Sequence, residues 1–467
     1  MVIKRFVDRR KELELLDKLW SSDKFEFLLL YGRRRVGKSR LLLEFVKRVG
    51  VGNALYFLVS DRGLSYNLRR FSEVVCRFYG VPFVRFESLR DVFDFIRVNS
   101  KGRRILVVVD EFGYLLKHDP GVASDFQEIV DNVLRDTNVK LVLCSSSVSM
   151  MEGYVLSYRS PLYGRSTYNL KLGPLKFGDL REWFGNVSFE DLFKAYSVTG
   201  GVPRYLEFFR CENVVEEIEK NFFDPVSFLF RDAIELLKEE LREPAMYLQI
   251  LEAVSLGYNR VSEIANYVYS TPTRITPYLR VLVSLDILER RLPLLSSRRE
   301  KRGIYAIKDY YFKFWSRFVS PFQSEIESGF LDMPINVFRR DFNKYLREVF
   351  EEESVKILYS YLNKKGYGVT RIGKWWHRDT EIDVVAIDEN TGMVVFAEVK
   401  WAKLSLREAR KILANLMVKA EKFPWRKGRR NEKFCLIARE IAGKDVLRSE
   451  GYFVLDLKDV ELQRLYI

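Results

Sequence analysis

The sequence predicts an α/β protein of several domains: a parallel sheet first, a helical middle, and a second α/β module at the end. Three observations carry this. Residues 25–31 form a short apolar run of buried-strand type, followed by Gly32-Arg33-Arg34-Arg35-Val36-Gly37-Lys38-Ser39 and then by helical spacing over residues 40–48. A length of 467 residues exceeds what a single core sustains, so two to four domains are expected. Towards the C-terminus, a helical pattern is followed by strand patterns in which acids and lysines interrupt Val-rich runs.

The first element, with Leu13, Leu15, Leu16 and Leu19, reads as an ordinary amphipathic helix. The strand, glycine-rich loop and helix that follow fit G-x-x-x-x-G-K-[ST] in its proper context. Gly32 and Gly37 let the loop from Arg33 to Val36 turn its N–H groups toward phosphates, and the helix opening at Lys38, Ser39 and Arg40 adds its positive end. Lys38 is placed to reach the β- and γ-phosphates and Ser39 to hold Mg²⁺. ATP or ADP with Mg²⁺ is therefore the expected ligand. Residues 104–112 read as a second buried strand ending in Asp110, placed to hold Mg²⁺ through water, and Glu111, placed to direct the attacking water. Residues 140–144 give a third strand that runs into Ser145-Ser146-Ser147, at the sheet edge where α/β ligands bind.

Composition narrows the class. The hydrophobic fraction of 47% with 30% charged residues is that of a globular chain, and no apolar run approaches the roughly 18 residues that would span a bilayer. The N-terminus is charged from the start, so a cytoplasmic location is expected. Cys76, Cys144, Cys211 and Cys435 have no paired spacing, which argues against a disulfide framework or a zinc site. A net charge of +14 favours polyanionic partners such as DNA.

The motifs FVDRRKEL, GRRRVGKS, VVVDEFGYL, LCSSSVSMM, SPLYGR and GGVPRYL, in this order over about the first 240 residues, resemble the archaeal P-loop ATPase family, a branch of the STAND class related to AAA+ proteins. That resemblance implies an AAA+-like sheet with a helical lid. It implies that Phe6 and Arg9 lie near the adenine, that Ser146 senses the γ-phosphate, that Pro203 touches the nucleotide and that Arg204 senses it. Arg165 reads either as an arginine for the γ-phosphate or as a helix-end cation.

Residues 175–238 are helical in pattern. A first helix over residues 247–254, a second over 262–268 with Ser262 as its cap, and a third opened by Thr271-Pro272 or Thr276-Pro277 then lead into a strand, a basic turn at 297–302 and a strand. This resembles a winged helix, with Ile275, Leu279 and Leu282 facing the core. Arg274, Arg280, Arg298, Arg299 and Arg302 are then either DNA contacts or the solvated face of a packing module. The aromatic-rich segment 310–350 reads as a helical connector.

A helix over 349–362 carries Glu351. Strands at 368–376, 381–387 and 393–401, a helix at 405–422 and strands at 434–439 and 452–457 follow. Asp383, fifteen residues before Glu398-Val399-Lys400, with Glu351 as the helix acid, resembles the restriction-endonuclease-like fold and its D-x(n)-E-x-K site. Carboxylates there would hold divalent metal and Lys400 would position water or steady the phosphorane charge. The other reading is a salt-bridged strand edge, and His377 is expected to be a surface or packing residue.

The expected organisation is a P-loop core (1–173), a lid (174–240), a winged helix (241–316), a connector (317–345) and a nuclease-like module (346–467). The expected function is an ATPase acting on DNA, in which the nucleotide repositions the winged helix against the nuclease-like module. A STAND-type switch with an inactive C-terminal scaffold is the alternative. An oligomer or a protein partner is compatible with either.

Overall fold

The computed structural model describes residues 6–241, 243–296 and 303–465. Two compact units result: residues up to Leu175 together with Val202–Arg204, and Lys176–Gly201 together with the chain from Tyr205 onward.

The first unit holds five strands, β1 (Glu26–Tyr31), β2 (Ala54–Leu58), β3 (Ile105–Asp110), β4 (Val139–Ser145) and β5 (Tyr168–Lys171), all parallel in the order β2-β3-β4-β1-β5. Alternation divides each strand between two cores. Phe27, Leu29, Phe57, Val107 and Leu141 face one layer of helices, and Leu28, Leu30, Val108 and Val142 face another that includes Leu16 and Leu41. Burial on both faces explains the near-continuous apolar runs. Because β3, β4 and β1 are in parallel register, Asp110, Ser145 and Tyr31 emerge at the same sheet edge. The strands β2 and β5 went unread in the sequence.

In the second unit, helices Phe189–Thr199, Val214–Phe222 and Phe228–Glu240 precede helices Pro244–Ser255, Val261–Tyr267 and Pro272–Ser284. An antiparallel pair, β6 (Leu288–Arg291) and β7 (Ile304–Ile307), follows. Thr271 caps the helix that Pro272 opens, and Pro277 lies inside it. Arg260, not Ser262, is the residue that precedes the helix before it, and Glu263 accepts from the Arg260 backbone N–H at 3.0 Å. Ile275, Leu279 and Leu282 are buried, while Arg274 and Arg280 are exposed. Arg298, Arg299 and Arg302 lie outside the described residues.

After helix Tyr310–Phe318, one helix runs from Asp332 to Lys364, through the segment read as a connector and on through Glu351. Its aromatic residues are packed: Phe338, Phe342 and Tyr345 meet Phe314 and Phe318, and the Tyr345 hydroxyl donates to Ser197 O at 2.6 Å. The last sheet contains β8 (Arg371–His377), β9 (Thr380–Asp388), β10 (Met393–Leu404), β11 (Asn431–Ile441) and β12 (Phe453–Asp456) in the order β12-β11-β10-β9-β8. The first three strands are antiparallel and the last three parallel. Ser405 caps the intervening helix, Leu406–Ala420. The β8 strand starts at Arg371, three residues later than the sequence suggests.

The hairpin of β6 and β7 is tied to this sheet. Leu294 N donates to Lys374 O at 2.9 Å, and Leu294 and Leu295 pack on the core containing Trp375 and Phe423. At its base, Arg291 and Lys313 close on Glu352 at 2.9 and 2.8 Å.

Candidate functional sites

The loop after β1 is shaped by its glycines. Gly32 has φ 149°, and a Cβ there would lie 2.3 Å from Leu172 O, while Gly37 has φ 95° and sits against Pro203, whose Cγ would be 3.9 Å from an added Cβ. No other residue suits either place. Val36 is buried and anchors the loop, Arg34 donates to the Tyr114 hydroxyl at 3.0 Å, and Arg33 and Arg35 continue the same turn. Lys38 opens the helix Lys38–Val49, is buried, and bonds Gly32 O and Arg33 O at 2.7 and 3.0 Å. Burial lowers its pKa, opposed by the charges of Glu111 and Asp110. Ser39 is half-buried beside it and Arg40 is exposed.

Arg9 is buried and donates to Val36 O at 2.9 Å and Gly173 O at 2.7 Å, so it braces the loop from behind. Phe6 packs on the adjoining core. Arg204 directly follows Pro203 at the start of a short helix, Pro203–Leu206.

Asp110 is fully buried; its Oδ1 accepts from Glu111 N at 2.9 Å and its Oδ2 from the Tyr56 hydroxyl. Glu111 holds a left-handed φ of 57°, uncommon for a residue with a side chain. Its Oε2 accepts from Ser146 Oγ at 2.6 Å and Ser146 N at 3.2 Å, so Ser146 is the group that orients Glu111. Arg165 pairs with Asp131 at 2.8 Å and donates to Pro161 O. The hydroxyl of Ser39 and the carboxylate of Asp110 are hard oxygen donors of the kind Mg²⁺ takes, beside a loop that suits phosphates.

The second site lies where β9 and β10 part. Their pairing ends at Val384 with Ala397, and one residue later the Asp383 carboxylate accepts from Val399 N at 2.8 Å, replacing a ladder bond. A register shift at Asp383 and Val384, opposite Lys374 on β8, re-aims these side chains. Glu351, Glu381 and Asp383 present carboxylate oxygens within 4.8 Å of one another. Burial and then Asp383 raise the pKa of Glu351, and burial and then Glu398 raise that of Asp383. A cation among them would relieve that repulsion.

Basic side chains ring the cluster. Lys400 lies 2.9 Å from Glu398 and 3.9 Å from Asp383. Lys419, from the helix after β10, reaches Glu398 at 2.9 Å, and Lys374 pairs with Glu381 and lies 3.9 Å from Glu351. Burial works against the charge on Lys374, but Glu381 and then Glu351 raise its pKa above the ordinary value. Glu398, expected to share a metal with Glu351 and Asp383, is paired with Lys400 and Lys419, and the close trio comprises Glu351, Glu381 and Asp383. His377 is exposed and stacks on Trp375.

Comparison with known proteins adds to this geometry. Residues 6–209 match a family model described as an ATPase domain predominantly from Archaea, and residues 315–412 match one described as archaeal and bacterial proteins of unknown function. An uncharacterised protein of Methanocaldococcus jannaschii is 37% identical over 420 residues, covering 89% of this chain and 92% of that one. The chain belongs to this archaeal ATPase family.

A Walker-type ATPase of Pyrococcus abyssi has a similar fold, with a TM-score of 0.51 and 21% identity over 67% of this chain and 96% of that one. An uncharacterised ATP-binding protein of M. jannaschii is 42% identical over 52 residues, covering 11% of this chain and 88% of that one. In this chain the P-loop, Gly32 to Ser39, lies within the residues that match the ATPase domain. Among the described residues no helix is long and apolar enough to cross a membrane.

Sequence reasoning did not single out Tyr56, Lys374, Glu381 or Lys419 for these sites. Tyr56 carried a signal, a lone hydroxyl in the strand ALYFL. Lys419 is one lysine of a basic amphipathic helix and carried none.

Proposed function

We propose that this ATPase hydrolyses ATP with Mg²⁺ and acts on DNA through a divalent-metal phosphodiesterase site at the fork of β9 and β10. In the nucleotide site Lys38 engages the β- and γ-phosphates, Ser39 and Asp110 hold the cation, Glu111 directs the water, and Ser146 sets Glu111. Bound Mg²⁺ would neutralise developing phosphate charge. Phe6, Arg9, Pro203 and Arg204 are assigned to the nucleotide's surroundings.

The observation that carries the second activity is the trio Glu351, Glu381 and Asp383, within 4.8 Å of one another beside Lys400. A cation held there supplies Lewis acidity toward a phosphodiester. Asp383 and Glu351 are its ligands, Glu398 aligns Lys400, and Lys400 meets the charge that builds on the phosphate. The organisation proposed from sequence, with a winged helix over 241–316 and a nuclease-like module over 346–467, accommodates this. The docking of Leu294 on Lys374 favours a hairpin that moves with the sheet rather than against it.

A second reading, a STAND-type switch with an inert last module, is favoured by one observation. Lys419, Lys400 and Lys374 already neutralise Glu398 and Glu381. The deciding experiment incubates the purified protein with supercoiled, linear, branched and single-stranded DNA and with Mg²⁺ or Mn²⁺, with and without ATP. Metal-dependent cleavage that Asp383→Ala removes supports the first reading. ATP hydrolysis without cleavage or divalent-ion binding at the fork supports the second. A cytoplasmic protein assembling with copies of itself, with Arg165 at a neighbour's nucleotide, is compatible with either.

A further inference from the structure

The nucleotide-binding sheet contributes a group that the roles above leave unused. Tyr56 lies opposite Val108 in the β2–β3 register, so Asp110, two residues further along β3, projects from the same face. The Tyr56 ring packs on the core layer that holds Leu41 and Leu42, and its hydroxyl reaches Asp110 Oδ2. The other carboxylate oxygen takes Glu111 N.

A phenol donates and a carboxylate accepts, so the Tyr56 hydroxyl aims its hydrogen at Asp110 Oδ2 and fixes how that oxygen presents its remaining lone pair.

We propose that Tyr56 is a positioning residue for the cation of the bound nucleotide, fixing the Asp110 carboxylate through its hydroxyl. This rests on the reading of Ser39 and Asp110 as the metal-holding pair. Partners of this outer kind commonly change metal affinity by about 10- to 100-fold.

The test measures binding of a fluorescent ADP analogue by wild type, Tyr56→Phe and Asp110→Asn, first in EDTA and then across a Mg²⁺ titration. Tyr56→Phe keeps the ring and removes only the hydroxyl. It should bind the analogue in EDTA as wild type does and need about tenfold or more extra Mg²⁺ to reach the tight complex. Electron paramagnetic resonance of Mn²⁺ with ADP should show the same loss. Combining Tyr56→Phe with Asp110→Asn should add little to the Asp110→Asn loss, because both act through one carboxylate. An unchanged or lower Mg²⁺ midpoint in Tyr56→Phe, with Asp110→Asn impaired, overturns the inference alone. An equal loss in EDTA also overturns it, since the hydroxyl would then support the loop and not the cation. An unimpaired Asp110→Asn overturns the reading of the metal-holding pair, and the inference with it.

Discussion

At the end of β1 the chain offers backbone donors and a lysine to an anion, whereas at the fork of β9 and β10 it offers carboxylates to a cation. The two are also assembled differently. Eight consecutive residues, Gly32 to Ser39, make most of the first site, and the conformation of the loop follows from its two glycines. The second collects Glu351 from a helix, Lys374 from β8, Glu381 and Asp383 from β9, Glu398 and Lys400 from β10 and Lys419 from the next helix. A contiguous site is robust to changes in the remaining fold. A distributed one exists only as well as its scaffold holds.

The largest effects should fall on the contiguous site. Lys38→Ala should weaken ATP binding and cut hydrolysis by about 10²- to 10³-fold, since a preorganised charge on the phosphates is lost. Glu111→Gln should retain ATP and lose hydrolysis by about 10²-fold or more. Phosphate release and nucleotide titration separate the two variants, and Mn²⁺ binding at the carboxylate fork should be unchanged in both. Lys38→Ala with wild-type turnover would end the contrast.

Next comes the distributed site. Asp383→Ala should bring Mn²⁺ binding there below detection by calorimetry, because a hard ion loses a buried ligand. Lys400→Ala should bind Mn²⁺ and lose DNA cleavage by about 10²-fold, a split that a salt-bridged edge does not produce. ATP hydrolysis should persist in both.

Scaffold dependence has its own signature in Glu352, which the charges of Lys313 and Arg291 hold ionised against the cost of burial, lowering its pKa from 4.5 to about 2. A depressed carboxyl contributes stability above its unfolded value and loses it as pH falls through the folded one. A shift of this size corresponds to about 3 kcal/mol, gone by pH 2. Glu352→Gln should therefore be less stable near pH 7 by about 3 kcal/mol in urea unfolding. Its deficit should shrink between pH 4.5 and 2. Parallel curves would show that the pair does not anchor the hairpin.

The smallest effect is expected at Lys419. Removing it frees Glu398 from one of two lysines and should tighten Mn²⁺ binding by a few-fold, the scale of one partly exposed ion pair. Weaker binding would make Lys419 part of the site and not its competitor.

The same contrast explains what the sequence could say. The phosphate loop, Asp110 and Glu111 are local patterns with local causes, so strand, loop and helix could be read together. Asp383 and Lys400 could be singled out because charges in Val-rich strands are costly without a use, and Glu351, on a helix, only through the resemblance. That Glu381 clusters with Glu351 and Asp383 while Glu398 pairs with two lysines was not readable, because it depends on a one-residue register shift and on a lysine from another helix. The strand β2 was passed over because five residues carry little periodicity, and Tyr56 went with it.

The second unit also carries a delay in its own synthesis. Arg181 pairs with Glu461, 280 positions later, and the Phe193 ring packs against Trp401 and, edge-on, Phe350. At about 5–20 residues per second, a ribosome needs roughly 15 to 55 s to supply that partner. For most of that interval Phe177, Phe189 and Phe193 have been made while Trp401, 208 residues after Phe193, has not. The early helices of this unit therefore keep apolar surface exposed until their late partners are made, the condition in which growing chains are prone to aggregate.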